Sequence, residues 1–96
     1  MDLTEIYDFT RRRWNERQAD RYISGLFATF RGIAEETASS RVVKRVSADA
    51  RVSEYESHLI YWRIREDGNV GIVAVLHGRM DQVPRARRAF GAAGRD

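Results

Sequence analysis

The chain has 96 residues, 43% of them hydrophobic, so it can form one globular domain with a modest core but not two. It contains no cysteine, which excludes a disulfide framework and a metal site built on thiolates. Its 17 basic residues exceed its 14 acidic ones, and all the basic residues except Lys44 are arginines. The net charge of +3 fits an acidic partner or a nucleic acid, but it fits more simply an arginine excess that only keeps a small protein soluble.

The sequence shows no sign of export or of membrane insertion. Its N-terminus is charged and lacks the apolar segment of a signal peptide. The longest apolar run, residues 70–76, is far shorter than the roughly 20 residues that span a bilayer. We therefore expect a soluble, cytoplasmic protein that does not contact membranes and binds no metal or other cofactor.

Two amphipathic helices are predicted in the first 40 residues, forming a helical hairpin with one apolar face. The first, at about 2–14, has apolar residues at the spacing of one helix face, namely Leu3, Ile6, Tyr7 and Trp14. The second, at about 16–37, has a longer stripe, namely Ala19, Tyr22, Ile23, Leu26, Phe27, Phe30, Ile33 and Ala34. Gly25 and Gly32 weaken this second helix but allow a neighbouring element to approach it closely.

Strand patterns follow the helices. Residues 41–46 are ambiguous between a strand and an extended connector, and about 50–57 is predicted to be a polar edge strand. Two runs rich in β-branched and aromatic residues then occupy about 58–66 and 70–77. Between them, Asp67 and Gly68 tolerate the positive φ angles of a tight turn. These two runs are the predicted central β-hairpin.

The tail, residues 81–96, is expected to be mostly irregular. Its single proline, Pro84, is expected to break the chain, with one helical turn at 85–90 and a frayed end. The order of elements predicts an α+β fold, in which the N-terminal helical hairpin packs on one face of a small antiparallel sheet. Because the last strand is apolar on both faces, the tail, a missing segment or a partner protein should cover the other face.

Several stretches resemble the ParE branch of the RelE/ParE toxins, the toxin halves of bacterial type II toxin–antitoxin operons. In the β-hairpin these stretches are Ser57-His58-Leu59-Ile60-Tyr61-Trp62-Arg63 and Val75-Leu76-His77-Gly78-Arg79-Met80-Asp81. Residues 2–10 resemble the first helix of that family, and residues 14–22 resemble its turn and the start of its second helix. The resemblance covers most of the chain in order. It implies a RelE/ParE-like fold, from which the family's usual first strand is expected to be absent here.

The resemblance also implies a function and partners. It implies a toxin that inhibits DNA gyrase by protein contact until a ParD-like antitoxin neutralises it, with operator DNA contacted only through the antitoxin. The candidates for antitoxin contact are aromatic, namely Tyr22, Phe30, Tyr61 and Trp62. The candidates for target contact are basic, namely Arg79, Arg85, Arg87 and Arg88. The competing interpretations are ordinary core packing for the aromatic residues and a solvated basic tail for the arginines.

Two alternative functions remain open. One is a RelE-like ribosome-dependent mRNA endonuclease using Arg63 and Arg79, with Glu54 as a base, and the other is a degenerate, non-toxic member. The chain after Met80 has no tyrosine or histidine to complete a catalytic set, so we predict that the protein is not an enzyme. For Arg63 we favour an ion pair that orders the sheet. His58 and His77 are expected to be structural residues rather than an acid–base pair.

Overall fold

A computed structural model of the protein describes residues 16–93, in which two helices flank one four-stranded sheet. The predicted helix at 2–14, and the first strand expected to be absent, lie outside the described residues. The elements in chain order are α1 (Glu16–Ala34), β1 (Arg41–Val42), β2 (Arg51–Tyr55), β3 (His58–Ile64), β4 (Val70–His77) and α2 (Gln82–Ala93). The predicted α+β class is confirmed. Within the described range, no helix has both the length and the apolar character needed to cross a membrane.

The sheet is antiparallel throughout, with its strands in the order β1-β2-β3-β4. β2, β3 and β4 lie close to the three predicted strands, and β1 lies in the stretch that was ambiguous between strand and connector. The prediction that 50–57 is an edge strand is wrong, because β1 and β3 pair with the two sides of β2. The β3–β4 hairpin pairs His58 with His77 at one end and Ile64 with Val70 at the other. Its turn contains Gly68 at a φ of 86°, a conformation that side chains rarely adopt, as the Asp-Gly pattern predicted.

Helix α1 packs on one face of the sheet. Its buried residues Ala19, Leu26 and Ile33 recur every seven positions, which places them on one side of the helix. Leu26 and Ile33 belong to a core cluster with residues of β3 and β4, namely Ile60, Trp62 and Val75. The indole N–H of Trp62 donates to the hydroxyl of Ser53 at 3.1 Å, so the polar atom of this buried ring is satisfied.

Helix α2 covers the opposite face, and the prediction of a mostly irregular tail broken at Pro84 is wrong. α2 is 12 residues long, and Pro84 lies in its first turn, where backbone N–H groups have no partner within the helix. Ala86 and Phe90, four residues apart, are both buried against the sheet. The cluster that they join contains Val46, Ala50, Val52, Tyr61, Ala74 and Leu76. The tail is therefore the cover that the two-sided apolar character of β4 required.

Gln82 connects the start of α2 to the sheet. Its side-chain nitrogen Nε2 donates to the backbone oxygens of His77 at 2.7 Å and of Met80 at 3.0 Å. Its Oε1 accepts a hydrogen bond from the hydroxyl of Tyr61 at 3.0 Å. These three bonds join the end of β4, the following turn and the middle of β3, so the direction in which α2 leaves the sheet is determined at its first residue.

Candidate functional site

The aromatic residues of α1 form a partly exposed surface. Phe27 is 51% exposed, and its ring meets that of Phe30 edge to face with the centroids 5.9 Å apart. Phe30 is half-buried and packs on the core cluster beneath α1. We call Phe27 and Phe30 the α1 aromatic surface. An exposed aromatic ring beside a half-buried one gives another protein two adjacent apolar anchors to cover.

Two of the four aromatic candidates are interior residues. Tyr61 and Trp62 are 3% and 5% exposed and belong to the core clusters on opposite faces of the sheet. Neighbouring residues of a strand point to opposite faces, and a helix covers each face here, so neither ring is available to a partner in this conformation. This placement corrects the choice of Tyr61 and Trp62 as antitoxin contacts. Tyr22 and Phe30 keep accessible surface, and their contact with an antitoxin stays a prediction.

The four basic candidates lie near the C-terminus of the fold. Arg79 is exposed in the turn between β4 and α2, and Arg85, Arg87 and Arg88 are exposed along α2. Arg87 is partly engaged, because its Nε donates to the backbone oxygen of Arg45 at 2.6 Å. The helix therefore presents these arginines on a defined solvent-facing surface rather than on a frayed tail.

The residues proposed for RNA cleavage do not come together. Arg63 pairs with Gly71 near the hairpin turn, whereas Arg79 follows the opposite end of β4. Gly71 precedes His77 by six residues, or about 20 Å of extended strand. Glu54 lies on β2, two strands away from β4. An acid–base set needs its groups within hydrogen-bond reach of one substrate, and these three residues do not meet that condition.

The two histidines, in contrast, are neighbours. His58 and His77 are cross-strand partners, and their ring centroids are 5.3 Å apart. The buried His58 is hydrogen-bonded through Nδ1 to the hydroxyl of Tyr22, whose ring also meets that of Tyr55 edge to face. Nδ1 of His77 accepts a hydrogen bond from the backbone N–H of Arg79 at 3.1 Å. In the described part of the chain, no group of three or more histidine, aspartate or glutamate side chains is placed to hold a metal, and both histidines have structural partners.

Burial determines the protonation of this cluster. It lowers the pKa of His58, and the neighbouring His77 lowers that pKa further. Burial also raises the pKa of Tyr22 to about 12, with contributions from Tyr55 and Glu56. Near neutral pH, the hydrogen bond between Tyr22 and His58 therefore joins two uncharged groups. A protonated His58 would bring a charge into the interior, where its Nε2 has no hydrogen-bond partner within residues 16–93.

We expect acid to destabilise the fold through His58. Its folded-state pKa lies below the ordinary value of 6.5, so its stabilising contribution is present above that pH and is lost as the pH falls toward the folded-state value. Between about pH 7.5 and about pH 5.5, the free energy of unfolding from urea denaturation should fall more in the unchanged protein than in His58→Gln. An equal fall in the two proteins would contradict this role of His58.

The sequence matches a known protein family. The family model for the ParE toxin of the type II toxin–antitoxin system, parDE, matches residues 1–82. The chain belongs to the ParE toxin family. The match includes α1 and the whole sheet but ends at the start of α2, so the arginines of that helix lie beyond the part shared with the family model.

Individual ParE toxins are similar to this chain over most of their length. Toxin ParE1 of Mycobacterium tuberculosis is 32% identical over 79 residues, which cover 82% of this chain and 81% of the relative. Toxin ParE1 of Caulobacter vibrioides is 31% identical over 80 residues, covering 83% and 81%. Toxin ParE of Escherichia coli is 30% identical over 84 residues, covering 88% and 82%. The resemblance to ParE toxins is confirmed, and membership of this family implies an antitoxin partner.

Three residues that form contacts at these candidate sites were not identified from the sequence. Phe27 lies on the same stripe as the buried residues of α1, so its periodicity indicated a core position. Tyr55 lies in a stretch that was predicted to be a polar edge strand, yet its hydroxyl donates to the backbone oxygen of Tyr22 at 2.8 Å. Asp49, 3.9 Å from Arg63, lies in a segment without periodic pattern. No local signal predicts these positions, because their surroundings come from elements distant in the chain.

Proposed function

We propose that this ParE-family protein inhibits DNA gyrase and arrests growth until a ParD-like antitoxin neutralises it. The observation that carries the proposal is the family match over residues 1–82. The similar proteins from three bacterial species bear the name Toxin ParE or ParE1, which supports a growth-inhibiting role. Action on gyrase would place the protein in the cytoplasm, and operator DNA would be contacted only through the antitoxin.

The proposed inhibition acts by protein contact, without turnover. The separation of Arg63 from Arg79 along the β-hairpin supports this interpretation. A nuclease needs a base, an acid and a group that stabilises charge around the same phosphate. His58 is hydrogen-bonded to Tyr22 in the interior and is not placed to serve as the missing group.

We propose that the antitoxin binds along α1, on the α1 aromatic surface and beside Tyr22. An amphipathic segment docks by burying a few spaced apolar anchors. Phe27 and Phe30 are three residues apart, so they lie next to each other on the helix surface. Because Phe27 is 51% exposed, covering its ring would add hydrophobic stabilisation on the order of 1–2 kcal/mol to the complex.

We propose that α2 makes the contact with gyrase through its exposed arginines. Arg85 and Arg88 are three residues apart and therefore lie on the same side of the helix. Arg79 precedes α2 and extends the basic surface toward the end of β4. Guanidinium groups bind carboxylates with paired hydrogen bonds, so an acidic surface of gyrase is the expected counterpart.

Growth and DNA supercoiling, measured together, test this function. Induced expression should stop growth, and the purified protein should block supercoiling by gyrase while mRNA on ribosomes stays intact. Co-expression of a ParD-like antitoxin should reverse both effects. Growth arrest with normal supercoiling and mRNA cut within codons would instead indicate a ribosome-dependent endonuclease. Unaffected growth with antitoxin binding retained would indicate a non-toxic member.

Two paired variants test the assignment of α2. Arg85→Gln combined with Arg88→Gln should weaken the inhibition of supercoiling about tenfold or more, while antitoxin binding is kept. Arg17→Gln combined with Arg31→Gln removes the same charge from exposed positions of α1 and should leave inhibition unchanged. Equal losses in the two double variants would show that net charge matters, rather than the surface of α2.

A further inference from the structure

Arg63 is a buried arginine whose charge is poorly paired. Its side chain is 9% exposed, and its Nη1 lies 3.9 Å from Oδ2 of Asp49, a side chain that is itself 52% exposed. This distance is longer than a hydrogen bond. Across residues 16–93, the ion pair with Asp49 and a contact with the Phe90 ring are the interactions of this guanidinium. A guanidinium has five N–H donors, and none of the Arg63 nitrogens is a fully buried atom without a partner, so the donors that these two contacts leave open reach solvent, where a ligand could bind them.

The guanidinium of Arg63 borders an open groove of about 910 Å³ between the turn before β2, the end of β3 and α2. Its Cζ lies 5.8 Å from the centroid of the Phe90 ring, which supports one side of the charged group. Ile64, the next residue along β3, also lines the groove and is 53% exposed. The groove thus combines accessible apolar surface with a cation that an aromatic ring supports, and Arg65 and Arg87 add two further cations to its lining.

Asp49 keeps this cation only partly neutralised in the free protein. Its Oδ1 accepts a hydrogen bond from the hydroxyl of Ser47 at 2.8 Å, which holds the carboxylate within the turn before β2. Its other oxygen therefore lies near Arg63 without forming a hydrogen bond to it. A carboxylate that accepts two N–H bonds from the guanidinium would be the better partner, because paired charge-assisted bonds are stronger than one long ion pair.

We propose that Arg63 is a receptor for a carboxylate side chain on an acidic segment of a partner protein. The planar fork of arginine fits a carboxylate, and the adjoining Ile64 fits an apolar residue next to the acidic one. Arg65, Arg87, Asp49 and Glu66 also line the groove, so its cations outnumber its carboxylates by three to two. This small excess fits one carboxylate at Arg63 better than the regularly spaced phosphates of a nucleic acid strand. This proposal concerns the ligand chemistry of the groove and does not depend on gyrase being the target.

A titration followed by NMR tests the site with a defined probe. The probe is a dipeptide of glutamate and leucine with an acetylated N-terminus and an amidated C-terminus. It is added to protein in which the backbone and the arginine side chains are labelled with ¹⁵N. The Nε–H signal of Arg63 should shift at millimolar probe, and the same dipeptide with glutamine should leave it unmoved. No shift, or equal shifts with the two dipeptides, would overturn the proposal. A larger response to inorganic phosphate would assign the groove to phosphate and would also overturn it.

Three variants show whether the response depends on this ion pair. Judged by the backbone amide of Ala48, which lines the groove, Arg63→Gln should weaken binding of the glutamate dipeptide about tenfold or more. Asp49→Asn removes the competing carboxylate and should strengthen binding about twofold or more. Arg17→Gln removes an exposed arginine of α1 that does not line the groove and should leave the affinity unchanged. The proposal would be refuted if Arg63→Gln kept its amide spectrum and urea midpoint and bound the dipeptide as tightly as the unchanged protein. Weaker binding in Asp49→Asn would also refute it.

Discussion

Replacing Phe90 with alanine should lower the free energy of unfolding by about 3–5 kcal/mol. The Phe90 ring is 5% exposed and, together with Ala86, is the buried contact of α2 with the sheet. Its removal deletes a large apolar group and leaves a cavity that one helix with few other contacts cannot close. Since the whole stability of a domain is about 5–15 kcal/mol, a large share of it depends on this one ring.

Thermal and urea denaturation measure this effect. The midpoint of thermal unfolding should fall by roughly 12 °C or more in Phe90→Ala. Arg88→Ala, an exposed change on the same helix, should alter the free energy of unfolding by no more than about 0.5 kcal/mol. A cost below about 1 kcal/mol for Phe90→Ala would show that α2 is not an essential cover of the sheet.

Replacing Gly25 with alanine should destabilise the protein by about 1–3 kcal/mol, although alanine is the better helix former. A Cβ at Gly25 would lie 2.1 Å from the hydroxyl oxygen of Tyr55 and 2.9 Å from its Cζ. The tyrosine would have to move, and its hydrogen bond to the backbone oxygen of Tyr22 would be lost. The close approach of β2 to α1 therefore requires glycine at this position.

The chain offers a matched control for this prediction at Gly91. That residue also lies in a helix, but a Cβ there would meet nothing within 4 Å. Gly91→Ala should therefore stabilise the protein by about 0.5–1 kcal/mol, the ordinary gain of alanine over glycine in a helix. The sign of the Gly25→Ala effect should reverse in a Tyr55→Leu background, because leucine lacks the ring that reaches the glycine. Destabilisation that persists in that background would show that Tyr55 is not the cause.

The helix and the β-hairpin were predictable from the sequence because their signals are local. The stripe from Ala19 to Ile33 has the helical period, and the two strands around Gly68 have the composition and turn residues of a hairpin. The family could also be recognised from residues that are adjacent in the chain, at His58 and at His77. These features need no knowledge of which elements pack together.

The candidate surfaces could be predicted only in part. Tyr22 and Phe30 keep accessible surface, whereas Tyr61 and Trp62 fill the two faces of the core. The spacing of an aromatic residue in a strand does not show whether its ring is buried in the core or exposed to a partner. Whether the second face of the sheet is open or covered depends on α2, whose local sequence, with Pro84 near its start, indicated an irregular tail.

Local patterns in the chain were enough to predict α1, the β-hairpin and membership of the ParE family. The folded structure was needed to show that α2 covers the sheet, that His58 joins β3 to Tyr22 of α1, and that Arg63 has an incomplete set of partners. Periodicity and turn chemistry act over a few residues, so they can be read along the chain. Burial and pairing depend instead on contacts between residues far apart in sequence, and these form only when α1, α2 and the sheet pack together.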